Sequence, residues 1–187
     1  MNRRLIILAA SVFVIVAIVG GVVYMEWPAH PLPQRSPSGV STIGLPPDPG
    51  DAGKATLEGI DSDGDGVRDD IQRYIVLTYP DSEKTRAGLT QYARAVQQTL
   101  LDADDEERSL ANAHDRKRVL DCLRYILGSV DAASLIREEL KAEFLNTTVR
   151  SRAWIIADGH LSGQVFRGTP IAERKGQCSF DPDAMEN

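Results

Sequence analysis

The sequence predicts a mainly α protein, in which an N-terminal transmembrane helix and a Pro-rich linker precede a small domain of about five helices. Three observations predict this class. They are an uncharged apolar run at 5–24, a Pro-, Gly- and Ser-rich stretch at 28–56, and apolar residues at helical spacing from Asp69 onward. The expected divisions of the 187 residues are 1–27, 28–56 and 57–187, and an acidic DxDxDG segment opens the last of them.

The apolar run at 5–24 is long enough to cross a membrane. Twenty helical residues extend about 30 Å, which matches the hydrocarbon core of a bilayer. Arg3 and Arg4 stand before the run, so the positive-inside rule places the N-terminus in the cytoplasm. We expect a single-pass protein of the inner (cytoplasmic) membrane, anchored through 5–24, with a periplasmic or extracellular C-terminal domain. A cleaved signal peptide is the alternative, although its apolar region usually spans only about 7–15 residues.

The exported part of the chain is acidic. The first 25 residues hold two of the 21 basic side chains and none of the 27 acidic ones, which leaves 19 against 27 and a formal charge of −8 for the rest. Such a surface repels phosphate backbones, so we expect no nucleic-acid partner. The stretch at 28–56 is rich in proline, which favours extended conformations and a semi-rigid spacer.

The two cysteines, Cys122 and Cys178, predict one disulfide, because an even count in an exported domain favours pairing. Closing a loop of about 57 residues would stabilise the fold by roughly 4 kcal/mol. Two unpaired buried thiols are the alternative.

Five helices follow from the periodicity and from residues that start or end helices. The expected boundary residues are Asp69 and Pro80 for the first helix, Asp81 or Ser82 for the start of the second, the patch at 102–107 and Gly128 for the third, Asp131 for the start of the fourth, and Asn146 or Thr147 with Gly159 for the fifth. In the fifth helix, Val149, Ala153, Trp154 and Ile156 are expected to face inward. A strand at 152–156 paired with 163–168 is the alternative there.

The segment at 61–70 carries the chemistry, since it follows the pattern DxDxDGxxD. Ca²⁺ takes six to eight oxygen ligands, and alternating carboxylates can surround one ion. Asp61, Asp63 and Asp65 would supply side chains, Val67 its carbonyl, and Asp69 a direct or water-mediated contact. Carboxylates this close repel one another unless a cation neutralises them. The alternative is a solvated acidic turn at the start of a helix.

This loop resembles those of the EF-hand, dockerin and thrombospondin type 3 families over about ten residues. The resemblance implies Ca²⁺ as cofactor, held by the five residues just named. Gln72 stands where an EF-hand has a bidentate Glu, and Arg68 replaces the usual apolar residue. Pro- and Gly-rich sequence precedes the loop, so the loop-then-helix form of thrombospondin and dockerin repeats is closer. Glu58, Asp70, a distant acid and water are candidates for the missing oxygen, and we expect a modest affinity.

The remaining residues favour a binding or scaffolding module with a protein partner in the cell envelope over an enzyme. The histidines are scattered, and the chain has no HExxH, GxSxG or P-loop motif. A hydrolase with an unrecognised active site near His160, Ser162 and Asp158 is the alternative. Beyond the loop, the chain resembles uncharacterised bacterial envelope proteins, a resemblance that implies location alone.

Overall fold

The structure is a computed structural model that describes residues 44–186 and, nearer the N-terminus, the backbone pairing of two short strands. These are β1 (Ala17–Ile18) and β2 (Gly21–Val22), which pair antiparallel. The membrane anchor predicted at 5–24 otherwise lies outside the described residues, as do 28–43 of the predicted linker. Among the helices at 44–186, none has both the length and the apolar character needed to span a bilayer.

Five α-helices make up the domain, as the sequence predicts. They are α1 (Asp69–Thr78), α2 (Glu83–Leu101), α3 (Glu106–Leu127), α4 (Val130–Phe144) and α5 (Thr148–Gly159). Short 3₁₀ turns lie before and after them, at Gly50–Lys54, Ile171–Glu173, Lys175–Gln177 and Pro182–Ala184. Residues 152–156 belong to α5, so the alternative strand at that position is wrong.

Side-chain caps define most helix starts. Ser82, Asp105 and Thr147 each accept a hydrogen bond from the backbone N–H three residues on. The cap of α4 was predicted at Asp131, but Ser129 fills that role by accepting from Ala132. Asp131 instead lies in the first turn, where its charge suits the helix dipole.

The core forms where α2 packs against each of the other four helices. Its buried apolar side chains include Ile71, Ile75, Leu89, Val96, Leu100, Leu123, Leu140 and Phe144. In α5 the predicted inward face is confirmed at Ala153, which is buried, and at Trp154, which packs against the core. It is wrong at Val149, which is half exposed, whereas the neighbouring Arg150 is fully buried. An arginine was not expected to face inward. Its guanidinium donates hydrogen bonds to the backbone at 53–57, in the segment that precedes the acidic loop.

The C-terminal tail is irregular and is fixed to α3. The predicted disulfide between Cys122 and Cys178 is present. Gln91 of α2 adds two hydrogen bonds to the tail backbone, at Gln177 O and Ser179 N. A cross-link and these polar contacts therefore stabilise a segment with little apolar burial of its own.

Candidate metal centre

The acidic loop, residues 61–70, reverses direction at two glycines and is closed at its base. Gly64 and Gly66 have φ values of +71° and +85°, which side-chain-bearing residues rarely adopt. The N–H of Asp69 donates to Ile60 O at 2.8 Å, and the N–H of Ser62 donates to Asp69 Oδ1 at 2.9 Å. These two bonds bring the ends of the loop together at the first turn of α1.

Three carboxylates converge inside this loop. Asp61, Asp63 and Asp65 each offer an oxygen, and the three oxygens lie within 4.8 Å of one another. Asp61 is oriented by the N–H groups of Gly64 and Gly66, which donate to its two oxygens at 2.8 and 2.9 Å. The group could bind a metal ion, because its oxygens are close enough to share one cation.

One cationic side chain, Arg94, and one neutral side chain, Gln72, contact this carboxylate group. Arg94 of α2 donates from Nη2 to Asp65 Oδ2 at 3.0 Å and from Nε to the Asp65 carbonyl at 2.7 Å. Gln72 of α1 donates from Nε2 to Asp63 Oδ2 at 3.2 Å. The hydrogen bond from Gln72 lowers the pKa of Asp63, so this carboxyl group is ionised at neutral pH.

The other two predicted ligands make contacts of their own. Asp69 is buried and faces the base of the loop, where it accepts from Ser62. The N–H of Val67 donates to Asp65 Oδ1 at 2.8 Å, and its side chain belongs to the core. Ligation by Asp69 and by the Val67 carbonyl therefore stays a prediction.

Of the candidates for a further oxygen, Asp70 is already engaged. Its carboxylate receives two hydrogen bonds of 2.9 Å from Arg68. Burial acts to raise the pKa of Asp70, but the Arg68 guanidinium, with help from Arg150, holds it below its usual value. Asp70 thus serves as the counterion of an arginine.

Sequence reasoning missed the arginines around the loop. Arg68 is fully buried, with its guanidinium 5.0 Å from the centre of the Phe144 ring. Its position in the motif suggested a departure from the calcium-binding families, whereas its aliphatic stem and planar head fill a core position. The residues next to Arg94 in the sequence do not indicate its contact with the loop, because its partner Asp65 lies 29 residues away.

A surface cleft of about 510 Å³ adjoins the loop. Glu58 and Asp61 line one part of it, and Arg94, Gln97 and Leu101 of α2 line another. His160 is not among its lining residues and lies at the C-terminal end of α5. The alternative active site near His160 stays a prediction.

No family model, no characterised protein and no solved structure matches this chain. The resemblance to calcium-binding repeats therefore depends on residues 61–70 alone. The function is argued below from the geometry of this loop.

Proposed function

We propose that this protein is a membrane-anchored, extracytoplasmic calcium-binding protein, a binding or scaffolding module of the cell envelope in which calcium has a structural role. One observation carries the proposal: the oxygens of Asp61, Asp63 and Asp65 lie within 4.8 Å of one another on a loop turned by glycines. The sequence of the predicted anchor and the disulfide support the location, since disulfides persist in oxidising compartments.

The chemistry of the donors favours calcium over other biological cations. The three side chains offer only hard oxygen atoms, whereas zinc sites are typically built from Cys and His. Mg²⁺ requires near-ideal octahedral geometry and keeps several waters, while Ca²⁺ accepts irregular arrangements of six to eight oxygens. An irregular loop of carboxylates therefore suits calcium best.

Gln72 is a further candidate ligand for an ion in this loop. Among the described residues, Gln72 Oε1 is buried and has no hydrogen-bond partner. Leaving such an acceptor unsatisfied costs about 1–3 kcal/mol. Rotating the amide by half a turn would direct Oε1 toward the carboxylates, where it could ligate a cation in exchange for the Nε2 hydrogen bond to Asp63. Gln72 would then supply one oxygen where an EF-hand supplies two, which agrees with a modest affinity.

The loop joins two parts of the fold, and this arrangement supports a structural role for the ion. Its first residues continue the segment at 44–60, and its last residues begin α1. An ion held by Asp61, Asp63 and Asp65 would fix this junction. With a dissociation constant of about 10⁻⁴–10⁻³ M, 10 mM Ca²⁺ would stabilise the fold by roughly 1.4–2.7 kcal/mol.

Calorimetric titration and thermal unfolding of the full chain in detergent test the proposal. The conditions to compare are millimolar Ca²⁺, millimolar Mg²⁺ and chelator. We expect heat of binding and a higher Tm with Ca²⁺, and neither for the variant Asp63→Asn/Asp65→Asn. A matched control, Asp104→Asn/Glu107→Gln, removes two negative charges from the exposed patch at the start of α3 and should keep the calcium response.

The result that would overturn the proposal is the absence of binding heat together with equal Tm values in Ca²⁺ and chelator. A response of the same size in the Asp63→Asn/Asp65→Asn variant would also contradict it, since the ion would then bind elsewhere. Protease protection of membrane vesicles tests the location, because the C-terminal domain should be digested only from the extracytoplasmic side.

A further inference from the structure

Arg150 of α5 is a buried cation whose hydrogen bonds go to uncharged groups. Its side chain is fully buried, and its guanidinium donates to the carbonyls of Gly53, Thr56 and Leu57 at 2.6, 3.0 and 3.2 Å. The Asn146 side chain accepts a fourth bond at 2.7 Å. Burial lowers the pKa of Arg150, and the positive charge of the neighbouring Arg68 lowers it further. The carbonyls at 53–57 therefore accept hydrogen bonds that water would otherwise accept from this cation.

Those carbonyls belong to a segment, residues 46–58, that we call the strap. Two further side chains hold its backbone: Arg73 donates to Pro46 O at 2.8 Å, and Gln97 donates to Glu58 O at 2.9 Å. Most of the strap is exposed, and Pro46 and Gly53 are its buried residues. Polar contacts to backbone carbonyls therefore attach much of the strap to the domain, and Leu57, which is partly buried against the core, adds an apolar contact. Segments held in this way open at a low free-energy cost.

The strap and the acidic loop are held by neighbouring side chains. Gly59 lies between them with φ +73°, and a Cβ added there would lie 2.5 Å from Arg68 Cδ and 2.8 Å from Arg150 Nη2. Arg68 directly follows Val67 of the loop. On α2, Arg94 contacts the loop and Gln97 contacts the strap, one helical turn apart. The loop therefore lies next to the residues that hold the strap.

We propose that metal binding at the acidic loop controls the docking of the strap, which makes residues 46–58 a metal-dependent joint between the tether and the domain. The proposal rests on calcium binding at 61–70 as proposed above. Without an ion, repulsion among Asp61, Asp63 and Asp65 loosens the loop and the contacts of Arg68 with Gly59. With the ion, the loop is fixed and the strap stays docked. A released strap would lengthen the tether by up to about 40 Å.

Cleavage by a lysine-specific protease measures docking directly. Lys54 lies in the strap and is exposed, while Lys84 lies in the first turn of α2 and serves as an internal reference. For the full chain, we expect cleavage after Lys54 to be about tenfold slower in saturating Ca²⁺ than in chelator, a change within the usual range of coupling between sites. Cleavage after Lys84 requires unfolding of α2, so it measures any general stabilisation of the fold by Ca²⁺, and the rate after Lys54 should fall by more than the rate after Lys84.

Two variants separate the strap from the metal. Gln97→Met removes one strap contact without touching the loop, so it should speed cleavage after Lys54 in both conditions while calorimetry still detects Ca²⁺. In Asp63→Asn/Asp65→Asn, whose helix content is checked by circular dichroism, the rate after Lys54 should no longer depend on Ca²⁺.

The outcomes distinguish this inference from the proposed function. If calorimetry shows calcium binding but the rates after Lys54 are equal in Ca²⁺ and chelator, docking of the strap does not depend on the metal. Calcium binding at residues 61–70 would still be supported. If there is no binding heat and the Tm values in Ca²⁺ and chelator are equal, the proposed function and the metal-dependent joint are both wrong.

Discussion

Arg94 and Asp65 are joined by two contacts, a 2.7 Å hydrogen bond from Nε to the Asp65 carbonyl and a 3.0 Å ion pair from Nη2 to Oδ2. The guanidinium thus places positive charge beside the carboxylates where a metal ion would supply it. Both side chains are partly exposed, so the ion pair itself stabilises the fold by no more than about 1 kcal/mol. Its importance lies in competition with the ion for Asp65.

Replacing Arg94 with Gln should therefore strengthen calcium binding. We expect the affinity to rise roughly two- to fivefold, since an incoming ion no longer displaces a guanidinium and no longer meets its positive charge. The unfolding temperature in chelator should fall slightly, because repulsion among the three carboxylates is no longer relieved. Calorimetric titration measures the first effect and thermal unfolding the second.

The matched control is Arg118→Gln, because Arg118 pairs with Asp115 at an exposed site on α3, away from the loop. Its affinity for calcium should equal that of the wild type. A weaker affinity in Arg94→Gln would show that Arg94 supports the metal-bound loop instead of competing with the ion.

Gln72→Glu should also tighten calcium binding, by a different route. The substitution places a carboxylate where the amide now donates to Asp63, and it can offer two oxygens to an ion. We expect roughly a tenfold gain in affinity or more, since ligand charge sets affinity over several orders of magnitude in such loops. In chelator the variant should be less stable than the wild type, because the bond to Asp63 becomes a repulsion.

Gln164→Glu is the control for added charge, since Gln164 is exposed in the tail. A calcium affinity that changes equally in both variants would mean that net charge, and not ligation by residue 72, is responsible.

Local patterns predict the helices of this chain well. Helices end at or just before Pro80, Gly128 and Gly159, because each of these residues acts through its own backbone. Ser82 and Thr147 are caps, because each accepts from an N–H group three residues away. The convergence of Asp61, Asp63 and Asp65 is equally local, since alternating side chains on one turned loop need no partner elsewhere. The disulfide followed from counting two cysteines.

Long-range polar contacts could not be predicted in the same way. At the start of α5, Val149 was predicted to face inward and Arg150 was not, because an arginine is usually a surface residue. Arg150 is buried instead, where carbonyls from 53–57 accept its hydrogen bonds. Those acceptors lie more than 90 residues away in sequence. The end of the predicted linker also reads as a spacer, because backbone carbonyls carry no residue-specific signal. Arg73 of α1 and Arg150 of α5 donate to these carbonyls, and Gln97 of α2 donates to Glu58 O just beyond the linker.

Asp121 predicts part of the pH dependence of stability. It is fully buried, and Lys117 and Arg124 donate to its two oxygens at 2.9 and 2.8 Å. Burial acts to raise the pKa of Asp121, but hydrogen bonds from Thr169, Lys117 and Arg124 outweigh it and hold the pKa below 3.8. The native state therefore favours the carboxylate. Its contribution is complete well above pH 3.8 and is lost as the pH falls through the lower, native pKa.

Asp121→Asn should lower the free energy of unfolding at pH 7 by about 1.5–3 kcal/mol, the contribution of hydrogen bonds to a charged group. The difference from the wild type should shrink as the pH falls below about 4. Urea unfolding at pH 7, 5 and 3 measures it. Asp115→Asn, at an exposed ion pair, should show little difference at any pH. A constant deficit from pH 7 to 3 would show that Asp121 acts by packing and not by charge.

Gly59→Ala should destabilise the junction between the strap and the acidic loop. Gly59 has φ +73°, and a Cβ there would lie 2.5 Å from Arg68 Cδ, 2.8 Å from Arg150 Nη2 and 3.2 Å from Gly53 O. Gly163 has a similar φ of +79°, but its Cβ would meet nothing within 4 Å. Both alanine variants therefore incur backbone strain of about 1–2 kcal/mol, and only Gly59→Ala adds a steric clash costing about 1–3 kcal/mol.

The difference between the two variants isolates the clash, because the strain is common to both. Urea unfolding should show a larger loss for Gly59→Ala, and cleavage after Lys54 should accelerate in that variant alone, because relief of the clash requires the strap to move from Arg150. Equal losses in the two variants, with unchanged cleavage after Lys54, would show that Arg68 and Arg150 can shift without releasing the strap. The contact through Gly59 would then not link the loop to residues 46–58.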